Sequence, residues 1–310
     1  MAHDAAHSPQ LHMGLPLPNG KLALWIFLVT EITFFAAIIG TYMLLRNGQP
    51  TKTTPWPSPH EVHLSEFIGA FNTFVLICSS LTVVLCHWCL SEARKKEGAD
   101  RKALVKKATL YLGITLALGC VFLVVKAFEY KAKIEHNILP GRVFELKDDK
   151  NSAHHYKFKR VVKEQLDHID AHGGVNDEAK KLVKDLLADF DKLTPKQVNE
   201  RIVGTKHLEK HMCDMPPIPA NVKGILEADP HVHVSYSIPY GNLWASSYFA
   251  MTGFHALHVL GGLVVFGIYL IAALLGKFGP DNDIDLELTG LYWHFVDIVW
   301  IFLFPLLYLV

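Results

Sequence analysis

Five long runs of apolar residues alternate with polar segments along this chain of 310 residues. Each run has about 20 or more mostly apolar residues, and at about 1.5 Å per residue such a helix crosses a hydrocarbon core about 30 Å thick. Buried helices of soluble proteins seldom reach this length five times over. The pattern therefore predicts an all-α, polytopic membrane protein with spans near 22–45, 67–90, 108–130, 243–275 and 287–310.

Charged residues are concentrated between these runs. Residues 131–240 hold 18 basic and 17 acidic side chains, and residues 91–107 hold ten further charges. The net charge of zero gives no indication of nucleic acid as a partner. The first 20 residues lack the basic region of a signal peptide, and the first apolar run is too long for one, so we expect a retained helix.

The loop with the most basic residues predicts the orientation of the spans. Residues 91–107 carry seven Lys or Arg, and such loops stay on the cytoplasmic side. The N-terminus is then cytoplasmic and the C-terminus extracytoplasmic, in a bacterial cytoplasmic membrane. The predicted parts are a cytoplasmic tail (1–21), transmembrane helices one to three (22–130), an extracytoplasmic helical insertion (131–242) and transmembrane helices four and five (243–310).

The insertion carries the start and stop signals of short helices. Asn176 is placed to cap a helix with an apolar stripe, and Thr194 begins a capping box with proline at the first helical position. Gly204 is placed to end that second helix. An earlier helix, near 157–172, ends at the Gly-Gly pair that follows. We expect two or three short helices packed as a hairpin.

One group of residues in the insertion has metal-ligand chemistry. His207 and His211 lie four apart on one helical face, and Cys213 follows. Imidazole and thiolate together bind copper or zinc. No complete four-ligand spacing is present, and a polar domain also uses histidine on its surface, so both interpretations stay open.

Ionisable residues within the apolar runs need their own explanation, because charge in hydrocarbon is costly and usually functional. Glu31 lies near the middle of the first run. It is either a proton-responsive carboxyl or a protonated acid bonded across to another helix, and both can be true.

Two further pairs lie in the last two runs, at a spacing that places each pair on one helical face. His255 and His258 are three apart, as are His294 and Asp297. His258 and His294 fall at similar depth, as axial ligands of haem b would. The same pairs are equally suited to hydrogen bonds between helices.

Several motifs in these runs resemble one family, subunit III of the haem–copper oxidases, in both order and spacing. The resemblance covers all five runs and is most specific in the last two. The motifs are Thr30-Glu31 with Phe34-Phe35, Phe71-Asn72-Thr73 with Ser79-Ser80, Glu129-Tyr130, Thr252–Val259 and Tyr292–Trp300.

The resemblance implies a fold of two helix bundles around a V-shaped cleft that holds phospholipid. It implies no redox cofactor in this chain, with haem and copper in the partner subunits. It also implies direct contact with subunit I, and contact with subunit II and cytochrome c through the complex. The chain differs from seven-helix members in lacking two N-terminal helices, as five-helix bacterial forms do, and the insertion has no counterpart in the common pattern.

The same resemblance implies roles for individual residues. Glu31 matches a carbodiimide-reactive membrane carboxyl, and no catalytic residue is expected in this chain. His87, with Arg94 nearby, matches a contact for lipid phosphate, which basic residues attract at the interface. An intramembrane polar network of structural residues is expected from Glu129, His255, His258, His294 and Asp297.

The implied function is a non-catalytic subunit of a proton-pumping terminal oxidase, which stabilises subunit I, holds lipid and supports proton uptake. A subunit III of a quinol oxidase is the close alternative. From other classes, a haem b electron carrier would use His255, His258 and His294 as ligands. A transporter with Glu31 as coupling site should show an internal repeat or broken helices, and the sequence shows neither.

Overall fold

The computed structural model describes residues 19–48, 56–59, 61–145, 153–172, 174–204, 223–229 and 232–309. Within these ranges the helices are α1 (Asn19–Gly48), α2 (Glu66–Arg94), α3 (Gly98–Glu135), α4 (Ala153–His172), α5 (Asp177–Asp189), α6 (Pro195–Val203), α7 (Ile225–Ala228), α8 (Gly241–Leu274) and α9 (Asp283–Phe304). A 3₁₀ turn, Pro280–Asn282, precedes α9, and a π-helical turn, Pro305–Leu309, follows it. In the described part of the chain the only strand-like pairing is an isolated bridge between Phe144 and Ser237.

The predicted all-α class with five membrane-length helices is confirmed. α1, α2, α3, α8 and the segment Pro280–Leu309 are each long and apolar enough to cross a membrane. α3 begins ten residues before the predicted span, at Gly98. Its first turns hold Lys, Arg and Ala, which favour helix without being apolar, so hydropathy detects the part in hydrocarbon and not the whole helix.

The five long helices share one hydrophobic core. Tyr42 of α1, Cys86 of α2, Phe122 of α3, Trp244 of α8 and Trp300 of α9 all belong to the same buried cluster. The two bundles implied by the resemblance are therefore not separate cores among the described residues. α1 lies at the flank, against α8 and α9, and only 6% of its most apolar window is buried, against 50% for the last span.

The insertion has a second core of its own. It is formed by apolar side chains of α4 to α7 and of the segment that returns to the membrane, including Phe158, Val183, Phe190, Ile202 and Val234. The predicted caps are confirmed by the following contacts. Asn176 Oδ1 accepts from the Ala179 amide at 3.0 Å, Thr194 and Gln197 form the capping box, and Gly204 ends α6 with φ +89°.

The two chain segments that enter and leave the insertion are joined beside the membrane helices. The Ile238 amide donates to the Phe144 carbonyl at 3.0 Å, and the Asn242 side chain bonds both the amide and the carbonyl of Val143. We call the end of the bundle where α3 ends and α8 begins the insertion end. α1 and α9 begin at the opposite end, where Lys21 and Glu287 form an ion pair of 2.7 Å.

Candidate functional site

The polar residues of the spans form several separate groups, each between different helices. Glu31 and His258 meet in one group, Glu129 lies in a second, and His294 lies in a third. His255 is buried among aromatic rings. The resemblance implied a single polar network. Among the described residues, the hydrogen bonds form separate local sites.

Glu31 of α1 and His258 of α8 form the first site, which links the flanking helix to the bundle. The Nε2 atom of His258 lies 3.1 Å from Oε2 of Glu31, and the two side chains are 17% and 21% exposed. The Phe35 ring packs edge-on against the imidazole at 5.3 Å. The hydroxyl of Tyr292 donates to the His258 carbonyl at 2.9 Å. The predicted bond from Glu31 across to another helix is thus present.

The hydrogen bonds of His258 determine how many protons the Glu31 contact carries. Nδ1 of His258 lies 2.7 Å from the Phe254 carbonyl, and a carbonyl only accepts, so Nδ1 carries a hydrogen. Nε2 then either accepts from a protonated Glu31 or, as imidazolium, donates to its carboxylate. In both cases one hydrogen lies between Nε2 of His258 and the carboxyl group of Glu31.

Glu129 of α3 lies in the second site, which is built around a buried lysine that sequence analysis missed. Nζ of Lys126 donates to Glu129 Oε1 at 2.9 Å, to the Tyr308 hydroxyl at 2.9 Å and to the Tyr248 hydroxyl at 3.3 Å. Both tyrosine hydroxyls also donate to the Glu129 carboxylate. An ammonium group has three donors, and here each of them has an acceptor.

Aromatic rings surround the same ammonium. Nζ of Lys126 lies 5.0 Å from the Trp300 ring centroid and 5.4–5.6 Å from those of Tyr130, Tyr248 and Tyr308. The negative faces of such rings attract a cation. The site therefore fastens α3, α8 and the C-terminal turn around one charge, and we call Lys126, Glu129, Tyr248 and Tyr308 the lysine clamp.

His294 and Asp297 of α9 face α2. Nδ1 of His294 lies 2.7 Å from the Ser80 hydroxyl, and Asp297 is 7% exposed. On the same face the indole of Trp293 donates to Ser79 at 3.0 Å, and that of Trp300 donates to Thr73 at 3.0 Å. These contacts make the polar side of α2 a seam that holds α9.

His255 is the most buried of the predicted network residues, at 1% exposed. Its ring lies 5.1 Å from that of Trp300 and 5.6 Å from that of Phe122. Neither ring nitrogen has a hydrogen-bond partner among the described residues. His255 therefore does not join Glu31, although it lies one turn from His258.

The two residues proposed to contact lipid lie at the end of the bundle opposite the insertion end. Arg94 is exposed in the last turn of α2. Nδ1 of His87 lies 3.1 Å from Oδ1 of Asp283, without the angle of a hydrogen bond. An acidic neighbour disfavours a phosphate beside His87, whereas Arg94 is open to one.

The candidate metal ligands His207, His211 and Cys213 lie outside the described residues. Within the described ranges, no group of three or more His, Cys, Asp or Glu side chains has the geometry to hold a metal ion.

Comparison with known proteins gives the same family as the motifs. The family described as cytochrome c oxidase subunit III matches residues 224–310. A probable cytochrome c oxidase subunit 3 of Nocardia farcinica is 44% identical over 79 residues, which cover 26% of this chain and 38% of the relative. The subunit 3 of Marchantia polymorpha is 38% identical over 78 residues, 25% of this chain and 29% of the relative.

These matches confirm the resemblance to subunit III for the part of the chain that contains α8 and α9. The chain spans less than two fifths of the length of these relatives. His255, His258, His294 and Asp297 lie inside the matched segment, and Glu31, His87, Arg94 and Glu129 lie before it.

Proposed function

From the match of residues 224–310 to subunit III, we propose that this chain is the non-catalytic subunit III of a proton-pumping terminal oxidase. The complex would oxidise cytochrome c and reduce oxygen to water at haem and copper centres in its partner subunits. This chain would contact subunit I directly, and subunit II and cytochrome c through the complex. It would lie in a bacterial cytoplasmic membrane, with its N-terminus inside and the insertion outside.

The observation that carries this proposal is that the matched segment supplies the side chains that join the spans. His258 bonds α1, Tyr248 and Tyr308 bond α3, and His294 bonds α2. These contacts use the polar groups to hold helices together, as expected of a subunit whose work is structural.

The flanking helix supports the proposed contact with subunit I and lipid. The exposed face of α1 includes Leu22, Trp25, Ile26, Val29 and Ile32, each more than 40% exposed. In a membrane such a face meets acyl chains or another subunit. Glu31 lies on this helix, 3.1 Å from His258, and a membrane carboxyl group beside an imidazole suits a role in supporting proton uptake by a neighbour.

The proposed lipid contact lies at the end of the bundle opposite the insertion end. Arg94 is exposed there, followed by the exposed Lys95 and Lys96. Basic side chains at this depth attract anionic headgroups.

The haem b alternative is less well supported by the contacts. Both nitrogens of His258 and Nδ1 of His294 already bond protein atoms, and the His255 ring lies between Phe122 and Trp300. Axial ligation by His258 would break one of its bonds, and ligation by His255 would separate its ring from those of Phe122 and Trp300. A quinol oxidase remains the alternative for the electron donor, since donor binding would lie in another subunit.

Isolation of the tagged chain in mild detergent tests the proposal. We expect a haem–copper subunit to co-purify with oxygen-consuming activity, and cytochrome c to be oxidised faster than quinol. A chain that elutes alone, or with a Soret band of its own after the partners are removed, would contradict it.

We also propose that the insertion serves donor binding or assembly, since it forms a separate core on the side where cytochrome c would dock. Replacing residues 146–234 with a short Gly-Ser linker removes that whole core and keeps the Phe144–Ser237 bridge. We expect a lower yield of complex or a higher KM for cytochrome c. Unchanged values of both would contradict this role.

A further inference from the structure

Three histidines from three separate segments meet at the insertion end of the bundle. His63 lies in the turn before α2, His136 directly follows α3, and His233 lies in the segment 232–238 that returns from the insertion. The rings of His63 and His136 are stacked, with centroids 4.0 Å apart and an angle of 13°. The ring of His233 lies 4.8 Å from that of His136. We call these three residues the imidazole stack.

Hydrogen bonds beside the imidazole stack join the insertion to the membrane helices. The hydroxyl of Tyr236 donates to the Glu61 carbonyl, and its oxygen lies 3.4 Å from Nε2 of His63. Because the hydroxyl hydrogen is used by Glu61, Nε2 of His63 is the donor in this second contact. Beneath them, the buried ammonium of Lys133 donates to the Val62 carbonyl.

The backbone of the turn is held in an unfavourable conformation. His63 has φ +51°, and Asn137, next to His136, has φ +56°. Residues with side chains rarely adopt this left-handed region, and they keep it only where surrounding contacts maintain it.

Burial and the neighbouring cationic groups disfavour protonation of His63 and His136. Lys133 and Glu135 face it from α3, Glu61 from the turn, and Tyr236 from the return segment, and Arg142 lines the cavity beside His136. Burial, and then the charges of His136, Lys133 and His233, lower the pKa of His63 from 6.5 to about 4. Burial, His233 and Lys133 also lower the pKa of His136, more than Glu135 raises it.

We propose that the imidazole stack is a pH-sensitive latch, which fastens segment 232–238 to the turn 61–64 while the stacked rings of His63 and His136 are neutral and releases that segment when they are protonated. Two stacked cations repel at this distance, whereas two neutral rings attract. The proposal stands on the geometry of this chain and does not depend on the oxidase assignment. If the insertion is outside, as proposed above, the latch responds to the pH of the outer compartment.

The direction of the pH dependence follows from proton binding. The open state, with ordinary histidines, binds more protons than the closed state when the pH falls below 6.5. The closed state is therefore fully favoured above that pH and loses stability as the pH falls towards about 4. For His63 alone, the open fraction at pH 5.5 should be about tenfold that at pH 7.5.

Amide hydrogen exchange of the full chain in detergent, with a chelator present, tests the latch. The amides of Leu64, Ser235, Ser237 and Ile238 are all hydrogen-bonded and report on both segments. After correction for the intrinsic effect of pH, we expect their protection to fall about tenfold or more between pH 7.5 and 5.5. The Val198 amide in α6, bonded to the Thr194 carbonyl at 3.0 Å, should show no change.

Variants separate titration from packing. His136→Phe keeps a flat ring in the stack, and His63→Asn keeps a residue that tolerates positive φ. Each should reduce the pH-dependent loss of protection, even if His63→Asn lowers protection at both pH values. His172→Gln is the matched control, because His168 and His172 are also stacked, at 4.3 Å, but lie exposed on the same helix.

Three results would overturn the latch. The first is equal protection of wild type at both pH values, and the second is an unchanged pH dependence in both stack variants. The third is a gain in protection at pH 7.5 on adding Zn²⁺ without chelator, lost in both variants, which would make the three histidines a metal site instead.

Discussion

Two carboxyl groups within the membrane helices, Glu129 and Glu31, are held in different ways. Glu129 accepts hydrogen bonds from Lys126, Tyr248 and Tyr308, and its side chain is 10% exposed. Glu31 meets His258 at 3.1 Å and is 21% exposed. Glu129 accepts from one ammonium and two hydroxyls, so it is tied to α3, α8 and the C-terminal turn. Glu31 has one imidazole contact, so it is tied only to α8.

The difference indicates a division of work along α8, which contributes Tyr248 to the lysine clamp and His258 to the Glu31 pair. The clamp lies towards the insertion end and stabilises the bundle. The pair lies nearer the middle of α1 and joins the flanking helix to that stable core. Measuring stability and function separately in variants of each group tests whether the clamp and the pair have these different roles.

The largest expected effect is that of Lys126→Met. Removing one partner of a buried ion pair leaves an uncompensated charge and costs about 3–5 kcal/mol. We expect the free energy of unfolding in detergent micelles to fall by that amount. Lys131→Met is the matched control, since Lys131 pairs with Glu135 at 3.7 Å on the same helix but is 70% exposed. Such exposed pairs contribute about 0–1 kcal/mol.

The double variant Lys126→Met with Glu129→Leu sharpens this test. Replacing both charges with apolar groups often restores stability. We expect the double variant to be more stable than Lys126→Met alone. A double variant that is less stable would show that Glu129 contributes through the tyrosines and not through the ion pair.

A smaller effect is expected from Gly262→Ala, which tests whether α8 must lie close to α9. A Cβ at Gly262 would lie 2.6 Å from the Trp293 ring, four residues from His258. Such overpacking costs about 1–3 kcal/mol. At Gly253 the nearest atom, the Tyr130 hydroxyl, is 4.0 Å away, so Gly253→Ala should be neutral or stabilising. Equal melting temperatures of the two variants would contradict this.

The smallest expected effect on stability is that of Glu31→Gln. The Gln amide can still donate to Nε2 of His258, so we expect a loss of no more than about 1 kcal/mol. The substitution removes the ionisable carboxyl group, however, and under the proposed function the complex should inactivate after fewer turnovers at unchanged initial rate. Glu287→Gln, in the partly exposed pair with Lys21, should change neither quantity. A loss of stability as large as that of Lys126→Met would contradict the difference between the Glu31 pair and the lysine clamp.

The sequence by itself determined the elements of this protein that depend on local physics. The five spans were predicted from the long apolar runs, because apolar side chains are transferred favourably from water into a membrane. The caps at Asn176 and Thr194 and the stop at Gly204 depend on bonds within four residues, and all three are confirmed. The specific motifs of the last two spans predicted a resemblance to subunit III, and the match to residues 224–310 confirms that resemblance for this part of the chain.

Only the tertiary structure decided which polar groups meet. Lys126 and Glu129 are three residues apart within an apolar helix, a signal that sequence analysis could have used. Their tyrosine partners, however, lie 122 and 182 positions from Lys126. His255 and His258 share a helical face, yet one packs between rings and the other bonds α1. Periodicity gives the direction in which a side chain points from its own helix. The partner of that side chain depends on how the helices pack, and interactions between residues far apart in sequence leave no local pattern.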